Sequence, residues 1–269
     1  MNLPHTPLSL LSLNTFGVPF YLSLGRLKRL ASELERLGTT ILCLQEIQQN
    51  AYASLLTRCL TSYPYRAIIP HWLAPKGGLG TYSRLPLMQQ EFELYQDRGL
   101  RWLITFADWA LSKGMLVTQL QIQELDVLVV NTHLNANYSG DWRRKNPLAV
   151  IQHKQVKQLS NLIGRMPANA LIVSCGDFNF PRSSFLYEEL VSQNGFFDPL
   201  HTNPKPSYRP FPLVPSKWKT SLDYLLLRLP QGKDIHVQAD IVEVEDTTRK
   251  HAFQRFLTDH CALKVNLEW

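Results

Sequence analysis

Apolar residues recur along this chain in two rhythms, short runs at strand spacing and longer stretches at helical spacing. Residues 8–14 (LSLLSLN) read as a first strand. Over 23–37, Leu24, Leu27, Ala31, Leu34 and Leu37 return at helical intervals, with Ser23 as N-cap and Gly38 as the stop. The run TTILCLQEI (39–47) is short, bounded and mostly apolar, which suits a buried central strand. A second helix is predicted over 50–60, then strands over 66–70, 79–83, 115–123 and 126–131. The last two are separated by a short Glu-Leu junction that reads as a hairpin. Pro147 suits the first turn of a helix over 147–163. A buried strand over 171–179 and a helix over 183–193 follow. Residues 201–220 hold five prolines and no periodicity, so they read as a long surface loop. Strands over 222–228, 236–244 and 261–268 close the pattern.

Mixed strands with helices before and between them predict an α+β fold in which two sheets share one core. No internal repeat or low-complexity tract appears, and 269 residues suit a single domain over 1–269. The 45% hydrophobic and 19% charged fractions are those of an ordinary soluble protein, and a monomer is expected. No run of 18 apolar residues is present, and the opening lacks a basic n-region and a small-residue cleavage site. Cys43, Cys175 and Cys261 sit inside apolar runs, and with Cys59 they make no CxxC spacing. Buried reduced thiols in a cytoplasmic protein are therefore expected.

The net charge of +6 admits an anionic partner without specifying one. The clusters Arg143-Arg144-Lys145, Lys154 with Lys157, Lys217 with Lys219, and Arg249-Lys250 read individually as solvated faces.

Candidate chemistry lies where apolar strands end in polar residues: Asn14, Glu46, His133, Asp177, Asp223 and His260, with Asn179 and Asp259 beside them. Burying a carboxylate there costs several kcal/mol, about 3 or more, unless it is paired or binds a cation. A donor set rich in oxygen and without cysteine favours Mg²⁺, or Mn²⁺, over Zn²⁺.

The motifs N-T-F-G (14–17), L-Q-E (44–46), N-T-H-L (131–134), G-D-F-N (176–179), S-L-D-Y (221–224) and T-D-H (258–260) occur in this order. Together they resemble the endonuclease/exonuclease/phosphatase superfamily over nearly the whole chain. The resemblance implies a four-layer αββα sandwich, two facing mixed β-sheets flanked by helices, the DNase I-like fold. It implies a metal-dependent phosphoric ester hydrolase in which Glu46 is the direct Mg²⁺ ligand, with Asn14 alongside and Asp259 close by. Asp177 is implied as the general base. Asn179 serves a phosphate oxygen or the water at the metal. His260 contacts the phosphate with Asp223 orienting it, and His133 is a second phosphate contact near the leaving group.

Lys113-Gly114 followed by N-T-H-L-N-A-N-Y (131–138) is similar to the neutral-sphingomyelinase-like branch. That implies Lys113, Asn135 and Tyr138 as substrate-binding residues and a lipid or small-molecule phosphodiester as substrate, with peripheral membrane contact. The membrane spans and hydrophobic hairpin of some members of that branch find no counterpart here, which argues against sphingomyelin itself. A nuclease is the rival: Trp72, Trp102, Trp142, Trp218 and Tyr208 offer stacking surfaces for bases. Phe16, however, stands where repair-type nucleases carry Asp. A phosphomonoesterase and an inactive phosphate-binding scaffold are further alternatives. The loop at 201–220 and the segment 251–257 are expected to shape the pocket. His5, His71, His153, His201, His236 and His251 read as surface or packing residues.

Overall fold

Inward and outward side chains alternate along every long strand, and this alternation sorts the apolar residues into three layers. A computed structural model describes residues 8–18, 23–99, 111–209 and 219–269. The first sheet has the order β10-β11-β1-β2-β4-β3. It is built from β1 (Leu8–Asn14), β2 (Ile41–Gln45), β3 (Tyr65–Ala67), β4 (Gly80–Ser83), β10 (His236–Val242) and β11 (Ala262–Glu268). The second has the order β5-β6-β7-β8-β9. It uses β5 (Gln89–Leu94), β6 (Gly114–Ile122), β7 (Leu125–His133), β8 (Leu171–Asp177) and β9 (Asp223–Arg228). Both sheets are mixed, with β1 parallel to β2 and β7 parallel to β8.

The two sheets face each other across a core that includes Leu10, Cys43, Val127, Val129, Val173, Cys175, Leu225 and Val265. Helices α1 (Ser23–Leu37) and α2 (Asn50–Cys59) cover the outer face of the first sheet. There Leu27, Leu30, Leu34 and Leu56 meet Leu11, Leu42 and Leu44. Helices α3 (Pro147–Gly164) and α4 (Phe185–Asn194) cover the second sheet. Val156, Leu159, Leu186 and Leu190 there pack on Val130, Ile172 and Leu226. The expected four-layer sandwich is the fold observed. A short α5 (Ala252–Arg255) precedes β11.

Local chemistry explains the helix ends. Asn146 accepts from Leu148 N at 2.9 Å and Ala149 N at 3.3 Å, with Pro147 in the first turn of α3. Ser184 caps α4, and Gly195, at φ 62°, ends it in the left-handed region.

Three differences from the sequence pattern have physical reasons. β5 falls outside the predicted strands, because QQEFEL lies on the sheet edge with mostly exposed side chains and so lacks an apolar face. The hairpin turns at Gln123-Glu124 rather than Glu124-Leu125, since Gln123 takes φ 55° and Ile122 pairs with Leu125. The strand expected over 66–70 is confined to Tyr65–Ala67, short as edge strands often are. Among the described residues no helix is long and apolar enough to cross a membrane.

Candidate active site

Followed to one end, the inward-facing register of each sheet turns from apolar to polar. Leu10 gives way to Ser12 and Asn14 on β1, Cys43 to Gln45 on β2, and Val129 to Asn131 and His133 on β7. On β8 the series ends at Asp177, and β9 starts with Asp223 directly opposite it. Because the period is two, apolar residues that hold the sheets together and polar residues that do chemistry share one set of strands. A cleft of about 700 Å³ opens at these polar ends, lined by residues that include Glu46, Lys113, His133, Asp177, Asn179, Tyr208, Asp259 and His260.

Glu46 lies one residue past β2 and has φ 57°, a left-handed conformation that redirects the chain at the strand end. The loop after β1 passes against it at Gly17, where an added Cβ would lie 1.7 Å from Glu46 O. Glycine is needed there for close approach alone. At Gly176, with φ 141°, a Cβ would lie 1.8 Å from Thr132 O, so this glycine lets β8 reach β7 beside Asp177.

Asn14 Nδ2 bridges Glu46 Oε1 at 3.1 Å and Asp177 Oδ2 at 3.0 Å, joining the two sheets beside the cleft. Its Oδ1 accepts from Phe16 N at 2.9 Å. Asn14, expected beside the metal, therefore presents donors to the carboxylates, and its oxygen is engaged by the backbone. Asp177 Oδ2 is 3.6 Å from His133 Nε2 and 3.8 Å from His260 Nε2, and Asp177 Oδ1 accepts from Asn179 N at 3.0 Å. Asn179 has φ 56° and donates from Nδ2 to Leu134 O at 3.0 Å.

The surroundings shift the proton affinities of the two histidines in opposite directions. Burial works against charge on His260, but Asp223, then Asp259 and Asp177, hold its imidazole well above the ordinary range. His260 Nδ1 donates to Asp223 Oδ2 at 2.8 Å, leaving Nε2 toward the cleft. His133 is held well below the ordinary range by burial, then by the charges of Lys113 and His260. Lys113 Nζ, itself buried, donates to His133 Nε2 at 3.0 Å and to Leu134 O at 2.7 Å.

The carboxylates carry an excess of buried negative charge. Burial first, and Asp223 second, push Asp177 up to about 7 against the pull of His260, Lys113 and Asn14. Burial also lifts Asp259 to about 6, with Glu46 and Asp223 adding to it and His260 opposing. Asp259 Oδ1 is buried without a hydrogen-bond partner among the described residues. Glu46, His133 and Asp177 each bring a ligand atom within 4.8 Å of the others. An orphaned carboxylate oxygen among oxygen donors of raised proton affinity fits a hard divalent cation.

Of the three substrate-binding residues expected from the branch pattern, Lys113 and the exposed Tyr138 line the cleft. Asn135 does not. Its Nδ2 donates to Arg98 O at 2.9 Å and its Oδ1 accepts from Gln155 at 2.6 Å, so it anchors the loop behind the cleft. Tyr208 and Thr220 bring the loop at 201–220 to the wall, with the Tyr208 ring 5.1 Å from that of His260. No described residue of 251–257 lines the cleft; Phe256 packs edge-on against Phe16 instead. Trp142 lines the cleft and Trp72 is exposed away from it, while Trp102, Trp218, Lys217 and His5 lie outside the described residues. Arg143 and Arg144 pair with Asp141 and Glu189 at 2.7 and 2.8 Å. His153 pairs with Glu189, and His201 stacks on Tyr187.

Several supporting residues carried no signal in the sequence. Ser207 Oγ, from the proline-rich loop, donates to Asp223 Oδ2 at 2.6 Å. Buried Arg26 of α1 donates to the carbonyls of Thr15, Phe16 and Leu257, tying together the loops that carry Asn14 and His260. Thr258 Oγ1 closes the same junction by donating to Asn14 O at 2.6 Å.

Over 163 residues the chain is 24% identical to "Inositol phosphosphingolipids phospholipase C" of Saccharomyces cerevisiae, covering 59% of this chain and 33% of that protein. Over 177 residues it is 26% identical to "Sphingomyelin phosphodiesterase 2" of Mus musculus, covering 64% and 41%. The match thus spans less than half the length of these relatives. Among solved structures, sphingomyelinase C from Streptomyces griseocarneus superposes with TM-score 0.71 at 20% identity, covering 97% of this chain and 99% of that one. Beta toxin from Staphylococcus aureus with bound magnesium ions gives TM-score 0.75 at 17% identity, with coverage of 97% and 99%. D. rerio TDP2 with a single-strand DNA product gives 0.68 at 16%, again covering 97% and 99%. The profile of the Endonuclease/Exonuclease/phosphatase family matches residues 11–260, and the chain belongs to that family.

Proposed function

We propose that this protein is a Mg²⁺-dependent phosphodiesterase that drives water into the P–O bond of a lipid or small-molecule phosphodiester. The observation that carries the reading is the placement of Asp177 Oδ2 between His133 and His260, at 3.6 and 3.8 Å, with Glu46 bridged to it through Asn14. A base, a cationic donor and a carboxylate ligand converge on one point, as in-line attack requires.

Glu46 and Asp259 fit the role of holding the cation, with Asp177 beside them. When bound, the cation supplies positive charge to a non-bridging phosphate oxygen and eases departure of the leaving oxygen. Asp177, with its pKa raised to about 7, accepts the proton that the attacking water loses. His260, held protonated by Asp223, donates from Nε2 toward the negative charge that develops on the non-bridging phosphate oxygens. Lys113 keeps the Nε2 lone pair of His133 occupied and adds a second positive charge to the wall. Asn179 holds Asp177 Oδ1 in place through its backbone N–H.

The substrate class rests on the relatives' names and on Lys113 and Tyr138 lining the cleft. The reading extends to a cytoplasmic location, supported by free thiols at all four cysteines. Bis-p-nitrophenyl phosphate should be hydrolysed with Mg²⁺ and not with EDTA, and equal rates in both would remove the metal mechanism. A panel of inositol phosphosphingolipid, sphingomyelin, lysophospholipid, plasmid DNA and abasic duplex then tests the substrate class. Nicking of plasmid without lipid turnover would replace the lipid reading by a nuclease.

A further inference from the structure

Two residues in the L-Q-E and N-T-H-L motifs have no part in the chemistry. Gln45 and Asn131 are fully buried, and neither lines the cleft. Both occupy inward-facing positions, continuing the series through Cys43 and Val129 that forms the core between the sheets. Gln45 Nε2 donates across the gap to Asn131 Oδ1 at 2.8 Å. It also lies 3.1 Å from Cys43 O and 3.2 Å from Ser12 Oγ. Asn131 Nδ2 faces Leu44 O and Gly80 O, each at 3.2 Å. Leu44 and Gly80 form the last register pair of β2 with β4, so Asn131, from the opposite sheet, caps the end of that ladder.

The amide orientations are determined. The carbonyls of Cys43, Leu44 and Gly80 only accept, so both amide nitrogens turn toward them. Asn131 Oδ1 is then left as the acceptor for Gln45.

We propose that Gln45 and Asn131 are positioning residues: a hydrogen-bonded clamp across the two sheets that sets the spacing of Glu46 from Asp177 and His133, and through it the affinity of the site for its divalent cation. Glu46 follows Gln45 directly in the first sheet, and His133 lies two residues beyond Asn131 in the second. Glu46 and His133 come from opposite sheets, yet each brings an atom within 4.8 Å of Asp177, so the spacing of the sheets sets how far the Glu46 carboxylate stands from that of Asp177. The core beneath them is apolar and imposes no preferred distance beyond contact. A buried amide pair does, because its bond has a required length and direction and an unpaired amide is costly. Among the described residues, Asn14 to Asp177 and His260 to Asp223 also bridge the two sheets at this end, and both involve groups that ionise. The Gln45–Asn131 bond carries no charge, so it holds the spacing unchanged while those groups change protonation.

The clamp rests on the divalent-cation reading of the site, and its test separates the two. Wild type, Gln45→Met, Asn131→Leu and the double variant are titrated with MgCl₂ and MnCl₂ by calorimetry and assayed on bis-p-nitrophenyl phosphate. Each single variant should weaken Mg²⁺ binding roughly 10- to 100-fold, the range for groups that orient metal ligands. Turnover should fall while KM for the diester changes little and the circular dichroism spectrum is kept. The double variant should be no worse than the worse single one, because the clamp acts as a unit. Wild-type Mg²⁺ affinity in Gln45→Met, or losses that simply add in the double variant, would overturn the clamp. If Asn131→Leu fails to fold, Gln45→Met still decides, since it leaves the cap on Leu44 and Gly80 in place. A wild type that binds Mg²⁺ but leaves the diester intact refutes the proposed activity while the titrations still judge the clamp. A wild type that binds neither cation overturns both.

Discussion

The 2.8 Å bond from His260 Nδ1 to Asp223 Oδ2 determines which ring nitrogen of His260 faces the cleft and keeps that ring charged. Asp223 also accepts from Ser207 at 2.6 Å, so its carboxylate is itself held in place. A cation is thereby kept beside Asp177, whose own proton affinity is raised.

Asp223→Asn should therefore lower turnover and move the alkaline limb of the pH–rate profile to lower pH. Without the carboxylate the His260 pKa falls from its raised position, and the charged form disappears at a lower pH. A profile whose alkaline limb stays where the wild type has it would count against the role of Asp223.

Asp177→Asn and His260→Ala should each reduce turnover by about 10² to 10⁴ while leaving the fold intact. Both residues sit at strand ends and take no part in the apolar core between the sheets. Steady-state kinetics with bis-p-nitrophenyl phosphate, alongside circular dichroism, checks this.

Cation binding should weaken as pH falls, because protons compete for Asp177 near about 7 and for Asp259 near about 6. Calorimetry in buffers of different ionisation enthalpy should detect proton release on binding. The stability consequence has a definite sign. The folded pKa of Asp177 lies above its ordinary value of 3.8, so the native state holds a proton that the unfolded chain gives up. Stability of the metal-free protein from this group falls as pH rises from about 4 to about 7. The rise in Tm on adding Mg²⁺ should consequently be larger at about pH 8 than at about pH 5.

Gly17→Ala should displace Glu46. The new Cβ would lie 1.7 Å from Glu46 O, and backbone on both sides must shift. A stability loss of about 1–3 kcal/mol or more is expected. Weakened Mg²⁺ binding should accompany it, measured by denaturant unfolding and calorimetry on the same preparation.

The candidate site was legible in the sequence to the extent that polar residues interrupt apolar strands at their ends. Glu46, His133, Asp177 and His260 stand out because a charged or imidazole group next to buried runs demands a partner. Asn135 stands in the same kind of context, yet its side chain holds Arg98 O and Gln155 behind the cleft. Local pattern cannot separate the two cases, since both residues are buried and polar. Ser207 and Arg26 gave no signal at all: one lies in a proline-rich loop and the other on a helix that reads as amphipathic and basic. Their partners are distant in sequence, with Arg26 separated from Leu257 by 231 positions.

By itself, then, the sequence determined most of the strands and helices, the inward register that brings Asn14, His133 and Asp177 to one end with Glu46 and His260 in the loops beside them, and the oxygen-rich donor set. These follow from period-two and helical alternation, which act over a few residues. Tertiary structure alone decided which buried amides serve the cleft and which hold the sheets together. It alone decided that the proton affinities of the two histidines are shifted in opposite directions. Both outcomes depend on charges and hydrogen bonds between groups from different sheets, whose distances no local pattern encodes.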